Sequence, residues 1–409
     1  MIRISGIMNL REQKGLQIAT TKTIMSGLDG WVVPSQNSNK KYFVRKDFSC
    51  SCPDHKDRGV KCKHAYAVEY YLQKITTTGQ GIKIETKRVT YPQAWHAYNL
   101  AENNEINLFD KLLKDLLENI EEPESRKGAG RPALSLREQF FCSTQKVYSQ
   151  LPSRRAKSLF NNAKDKGLLH KAPYANFVNK FFNREDITPI LHKLIALSSA
   201  PLQGVETKFA IDSSGFRTTK FSEYCNEKHN DKKRHHEWIE AHICSGVKTH
   251  IITQAKITPE HGGDSPQFIP LAQATANQGF TIEEISADKA YNSIKNYNAI
   301  QELGGTAYIP YKSNITALSH TGNKARLWRK MFHFYQLNQE EFLKHYHLRS
   351  NIESTNNMIK AKLGDSVKSK KWTAQQNELL TKILCHNLIV VIHEMYELGI
   401  EAKFEACVS

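Results

Sequence analysis

Apolar positions along this 409-residue chain change their period several times, and each change marks an element. Trp31-Val32-Val33 and Tyr42-Phe43-Val44 are β-rich runs around a polar turn of Ser, Asn and Lys. They predict a hairpin, and an apolar helix follows it. From Lys74 to Glu124 the chain is polar and only partly helical. Glu121-Glu122-Pro123-Glu124 marks a boundary, and the stretch SRKGAGRPALS reads as a linker, although an Arg-Pro element can also lie in a DNA minor groove. Helical periods over 135–150, 153–166 and 174–183 come next, separated by Leu151-Pro152 and by Gly167 to Pro173.

Beyond Glu206 the order of elements is different. KFAID, WIEAHICSG and THIITQAKI read as three strands, SPQFIPLAQATANQG as a helix and EEISAD as a fourth strand. YNSIKNYNAIQELGG is a second helix, TAYIPY a fifth strand, and helices at about 339–362 and 373–398 close the pattern. Three strands, then helix, strand, helix, strand and terminal helices is the order of a ribonuclease H-like domain, an α/β fold whose mixed five-stranded sheet has helices on both faces. The expected organisation is an N-terminal region over 1–75 and a polar helical linker over 76–125. A helical, helix-turn-helix-like region follows over 126–200, and the α/β catalytic domain spans 205–400.

Charge adds a partner to this picture. There are 57 Lys and Arg against 41 Asp and Glu, a net charge of +16, which favours polyanions and nucleic acid first. From Arg126 to Arg184 the cations are opposed only by Glu138 and Asp165, so the three short helices suggest a DNA binder; a bundle with a basic solvated surface fits the same pattern. The longest apolar run, ILCHNLIVVI, is well short of the roughly 20 residues of a membrane span. With no export signal at the start, a soluble intracellular chain that binds no membrane is expected, and its eight cysteines are expected as thiols.

Four of the candidate ligands stand together. Cys50-x-Cys52 follows the hairpin, and nine residues later Cys62-x-His64 opens the apolar helix. Two thiolates on a tight turn and a Cys/His pair at a helix start can converge on one tetrahedral structural Zn²⁺, giving a small zinc-binding module over about 28–73.

Acids placed by the strand order suggest a second site. Asp212 closes the first strand of the α/β region and Asp288 the fourth, where side chains meet over a sheet edge. On a continuous helix Tyr346, Arg349, Glu353 and Lys360 fall within about 60° of one another, so Glu353 can join the two aspartates. A solvated face with an Arg349–Glu353 pair fits the same spacing. Three close carboxylates repel one another unless cations intervene, and two Mg²⁺, or Mn²⁺ in their place, roughly 3.5–4 Å apart suit in-line attack at a phosphodiester. Arg349 and Lys360 then read as phosphate contacts, and Tyr346 as a hydrogen-bond donor or stacking surface. Among other polar groups, Lys232-Lys233-Arg234-His235-His236 could grip phosphate, and Glu240 and His242 face either the site or solvent. Asp264 caps a helix, Cys385-His386 belongs to a core, and Trp328 stacks on bases or fills a core.

Asp212 in FAIDSSGF, Asp288 in SADKAYNS and the Tyr346-x₂-Arg349-x₃-Glu353-x₆-Lys360 signature resemble the DDE transposases of bacterial and archaeal insertion sequences, over about residues 125–398. Cys50, Cys52, Cys62 and His64, with WVVPS and YFVRK upstream, resemble a SWIM zinc finger. The resemblance implies a transposase that binds terminal inverted repeats in double-stranded DNA, cleaves at the element's ends and joins the 3′-hydroxyl to target DNA. It would work as a homodimer or larger synaptic complex, in a prokaryotic cytoplasm at the nucleoid. The short gap from Asp288 to Glu353 leaves no room for the large β-rich insertion of some relatives. A nuclease of the same fold without strand transfer, and a non-catalytic or domesticated DNA-binding regulator, are the alternatives.

Overall fold

The computed structural model describes residues 9–27, 29–36, 40–77, 94–123, 134–218, 238–259, 262–316 and 319–404. The linker read in SRKGAGRPALS lies almost wholly outside them, as do the Lys232–His236 cluster, Glu260 and His261. The chain divides into two compact units, Met1–Pro92 and Gln93–Ser409.

In the first unit, β1 (Met25–Gly27), β2 (Gly30–Pro34) and β3 (Lys41–Arg45) form an antiparallel sheet in that order, with Trp31 opposite Val44 and Val33 opposite Tyr42. The predicted hairpin is β2–β3. Alternation puts Val33 and Val44 into a small core with Ile18, Ala65, Ala67 and Val68. Helix α1 (Leu10–Thr21) lies on α3 (Lys63–Thr77), and α2 (Pro53–Arg58) connects the cysteine turn to α3. The contact between α1 and α3 requires Gly15: a Cβ there would stand 2.5 Å from Tyr66 Cβ. Arg11 grips Asp54 through two hydrogen bonds of 2.9 and 3.0 Å and ties α1 to α2.

The second unit is built on a five-stranded sheet with order β6–β5–β4–β7–β8. Its strands are β4 (Lys208–Arg217), β5 (Trp238–Gly246), β6 (Ile252–Pro259), β7 (Glu284–Ala287) and β8 (Thr306–Tyr308). The first three are antiparallel neighbours, while β7 joins β4 and β8 joins β7 in parallel, so this is the expected mixed, ribonuclease H-like sheet. One face carries Ala210, Phe216, Ile243 and Ile257, and packs on α4 (Trp95–Leu117), α5 (Leu136–Ser149), α8 (Ile187–Ser199) and α14 (Trp372–Glu397). The other carries Phe209, Ile211, Ile285 and Ala307. It packs on α9 (Ser265–Asn277), α10 (Ile294–Glu302), α11 (Arg326–Leu337) and α12 (Gln339–Tyr346).

Several elements differ from their sequence expectation. The stretch expected as a linker contains α4, whose Phe109, Leu112, Leu113, Leu116 and Leu117 recur at helical spacing and are buried against α14. Its charged outer face is what reads as linker. Likewise α5, α6 (Ser153–Asp165), α7 (Phe177–Phe181) and α8 share one core with the sheet. Helix α11 falls in a stretch to which no helix was assigned, and its Trp328 is fully buried, donating from Nε1 to Asn292 Oδ1 at 2.8 Å, so it is a core residue. Strand β4 runs five residues past Asp212. The helix expected over 339–362 is interrupted by a 3₁₀ turn at His347–Arg349, which separates α12 from α13 (Ser350–Leu363).

Among the described residues α14 is the one helix long and apolar enough to cross a membrane, and 78% of its most apolar window is buried within the protein. Its buried polar residues are paired. Asn387 accepts from Ile252 N at 3.0 Å and donates to Ile252 O at 2.7 Å, fastening α14 to β6. His386 Nε2 lies 2.9 Å from the His250 carbonyl, and burial drives its pKa down to about 4. Folding therefore disfavours its protonation, so the stability this group contributes is complete above about pH 6.5 and is lost as pH falls toward 4. The measurable loss should be on the order of 3 kcal/mol, read from urea unfolding across that window, and His386→Gln should flatten it.

Candidate functional site

The register of two parallel strands creates the acidic pocket. β4 and β7 pair from Lys208↔Glu284 to Ile211↔Ala287, and there β7 ends. The next residue on each chain is Asp212 or Asp288, so the two aspartates stand side by side where the strands part. Asp288 begins a 3₁₀ turn and accepts from Lys289 N at 2.6 Å. Asp212 stands opposite Ile243 on its other side.

Arg349, in the 3₁₀ turn before α13, supplies the third contact. Its guanidinium donates to Asp212 Oδ2 at 2.8 Å and to Glu353 Oε1 at 2.6 Å, joining a strand acid to a helix acid. Burial pushes the Asp212 carboxyl above its ordinary range; Arg349 pulls the other way, and Asp288 and Asp264 add to the rise. Arg349 is itself partly buried, which opposes its charge, but Asp212, Tyr346 and Glu353 hold it protonated. Asp212, Asp288 and Glu353 do not bring oxygens within 4.8 Å of one another as a group; the arginine stands between two of them. Three carboxylate donors from separate elements, two of them balanced by one guanidinium, match the donor set of a hard divalent cation.

Lys360 reaches the same strand further along, donating from Nζ to Ser214 Oγ at 2.7 Å and lying 5.2 Å from the Phe216 ring centre. Burial lowers its pKa. Tyr346 ends α12 half-buried, packed on the core beneath β7 and against His347, so the 3₁₀ turn takes it off the helix that carries Glu353. A basic groove of about 540 Å³ opens at the end of α13, lined by Lys146, Lys368, Lys370 and Lys382 around Gly364 and Asp365. Lys382 donates to the Gly364 and Ser366 carbonyls at 2.8 Å each, and burial takes its pKa down to about 8.

From the sequence His242 reads as facing either the site or solvent, and Asp264 as a helix cap. His242 is fully buried on β5, and its imidazole pKa is lowered by burial against the pull of Asp264. Asp264 precedes α9 but makes no side-chain cap bond; it faces His242. The alternation of Glu240 and His242 with apolar residues was the available signal. Nothing local predicts the Ser214 partner of Lys360 or the buried Tyr291 hydroxyl.

In the first unit Cys50, Cys52, Cys62 and His64 are all buried, with one donor atom each within 4.8 Å of the others. His64 Nδ1 is 3.9 Å from both Cys50 Sγ and Cys62 Sγ. Edges of roughly 3.5–3.8 Å follow from tetrahedral bonds of about 2.3 Å to sulfur and 2.0 Å to nitrogen, so the four fit one Zn²⁺ after a small contraction. The Cys62 thiol is strongly acidified, first by the hydrogen bond from Cys50, which favours the thiolate a metal requires.

Comparison with known proteins gives two family matches. The family described as transposase DDE domain matches residues 203–388, and the SWIM zinc finger matches residues 47–73. No curated protein matches the chain. Among solved structures the chain is similar to a piggyBac transposase synaptic complex with hairpin DNA, determined by cryo-EM. Identity is 13%, the TM-score 0.35, and the match covers 76% of this chain and 77% of that one.

The finger gives a direct test. Purified chain should contain one zinc by elemental analysis, and Cys50 and Cys52 replaced together by Ser should leave none and unfold the first unit, seen as loss of its protection from proteolysis. Zinc retained at full stoichiometry in that variant would remove these ligands from the assignment.

Proposed function

We propose that this chain, with its transposase DDE domain and SWIM zinc finger, is a transposase that binds terminal inverted repeats, cleaves at the element's ends and joins the freed 3′-hydroxyl to target DNA. The observation that carries the reading is the β4–β7 register, which sets Asp212 beside Asp288 with Glu353 tied to Asp212 through Arg349. In this reading Asp212, Asp288 and Glu353 hold two Mg²⁺, for which Mn²⁺ can substitute. Bound there, the cations would activate a water or 3′-hydroxyl and stabilise the leaving oxygen.

The remaining roles belong to the chain's own side chains. Arg349 compensates the carboxylates and is within reach of a phosphate delivered to the pocket, where it can offer a bidentate contact. Lys360 presents a cation above Ser214, one strand turn from Asp212, and the groove of Lys146, Lys368, Lys370 and Lys382 extends that positive surface. Tyr346 supports Arg349 from its half-buried place on α12. Two element ends must be handled in one event, so a homodimer or larger synaptic complex is the working form. The zinc finger holds its own unit in shape, and the DNA it would serve lies at the nucleoid in the cytoplasm.

Asp288→Asn should leave binding of end DNA unchanged in a gel-shift assay and abolish Mg²⁺-dependent cleavage of the same DNA. Supplied with pre-cleaved end DNA and Mg²⁺, the native chain should give joined product. Hydrolysis with no joining would replace the transposase reading by a nuclease; cleavage surviving in Asp288→Asn would remove the catalytic assignment.

A further inference from the structure

β5 and the start of α9 bring together Glu240, His242 and Asp264, one donor atom of each within 4.8 Å of the others. The two nitrogens of His242 have different surroundings. Nε2 lies 2.8 Å from Thr258 Oγ1. Nδ1 is buried with no hydrogen-bond partner among the described residues and faces Asp264 Oδ1 at 3.5 Å. That gap exceeds the roughly 2.7–3.2 Å of a hydrogen bond. It matches the edge of about 3.0–3.5 Å between nitrogen and oxygen donors that share a divalent ion at about 2.1 Å. Glu240 Oε2 is 3.9 Å from Nε2, on the Thr258 side of the ring, and its carboxylate belongs to the same cluster of donors within 4.8 Å.

The backbone is shaped for this approach. Gly262 N donates to Pro259 O at 3.1 Å, and a Cβ on Gly262 would stand 2.3 Å from Thr258 Oγ1. Glycine thus lets the turn close against the residue that holds His242, and Asp264 follows two positions later.

We propose that Glu240, His242 and Asp264 form a further divalent-metal site, selective for a transition metal such as Mn²⁺ or Zn²⁺ over Mg²⁺. Thr258 accepts the Nε2 proton, which fixes the tautomer and leaves the Nδ1 lone pair for the ion. An imidazole ligand with two carboxylates favours such ions, whereas Mg²⁺ prefers oxygen donors and water. His242 lies directly opposite Ser213 in the β4–β5 register, one residue from Asp212. Charge at this site is therefore felt in the acidic pocket, although binding there does not depend on the transposase reading.

The test uses full-length chain carrying Asp212→Asn, Asp288→Asn and Glu353→Gln, titrated with Mn²⁺ in imidazole-free buffer. Continuous-wave electron paramagnetic resonance counts bound ion, and pulsed measurement detects ¹⁴N coupling. We expect one Mn²⁺ per chain, coupled to ¹⁴N, retained in tenfold excess Mg²⁺ and lost when Asp264→Asn is added. Native chain, measured in parallel, should show the same ¹⁴N coupling, so a poorly folded multiple variant does not remove the readout. Bound Mn²⁺ without ¹⁴N coupling in the native chain would overturn the site, as would unchanged binding after Asp264→Asn.

Discussion

The guanidinium of Arg349 spans a strand carboxylate and a helix carboxylate, and the electrostatics of the second unit turn on that contact. Burial alone would favour a protonated Asp212, more so with Asp288 and Asp264 nearby. Arg349 opposes this with bonds of 2.8 Å to Asp212 and 2.6 Å to Glu353, and in doing so anchors the start of α13 against β4. Removing one partner of such a half-buried network leaves a charge without compensation, which costs more than the pair contributes by existing. On the proposed reading, that guanidinium is the cation beside a bound phosphate.

That contact is possible because the sheet is held from both faces. Asn387 fastens α14 to β6, and Asn377 on the same helix donates to the Phe182 and Arg184 carbonyls at 2.9 Å each, fixing the turn between α7 and α8. On the opposite face Trp328, Tyr311 and Phe332 pack together beneath β8, with Tyr311 donating to the Trp328 carbonyl at 2.9 Å. The acidic pocket thus sits on a rigid strand junction, and its one helical contribution enters through a short 3₁₀ turn. The first unit uses a different device: a core too small to rely on apolar burial alone is organised around four clustered metal-type ligands.

The strands and the mixed sheet were legible because each strand of the second unit has an apolar run bounded by polar or Gly-rich turns. The zinc cluster was legible because its spacing, Cys-x-Cys and Cys-x-His, is itself the geometry of the site. Helix α4 reads only as a polar helical linker, because the exposed Glu102, Lys111, Lys114 and Asp115 break up the apolar positions that bury it. α11 hides for a related reason: Arg326, Arg329 and Lys330 interleave with Trp328, Met331 and Phe332. The break at His347–Arg349 carries neither Gly nor Pro, so a continuous helix was the natural reading, and only the packing of Tyr346 beneath β7 shows why the chain tightens there. The partnership of Arg349 with Asp212 spans 137 positions and depends on strand register, which periodicity does not encode.

On the proposed reading, the acids joined through Arg349 and β7 form a cation pocket for phosphodiester chemistry. This is tested most directly by a crystal structure of the full chain with cleaved end DNA and Mn²⁺, using anomalous scattering to locate the metal. Manganese peaks should then be bound by oxygens of Asp212, Asp288 and Glu353, with the Arg349 guanidinium turned from Glu353 to a DNA phosphate. DNA seated elsewhere, with Arg349 still bridging Asp212 and Glu353 and no manganese beside them, would contradict it.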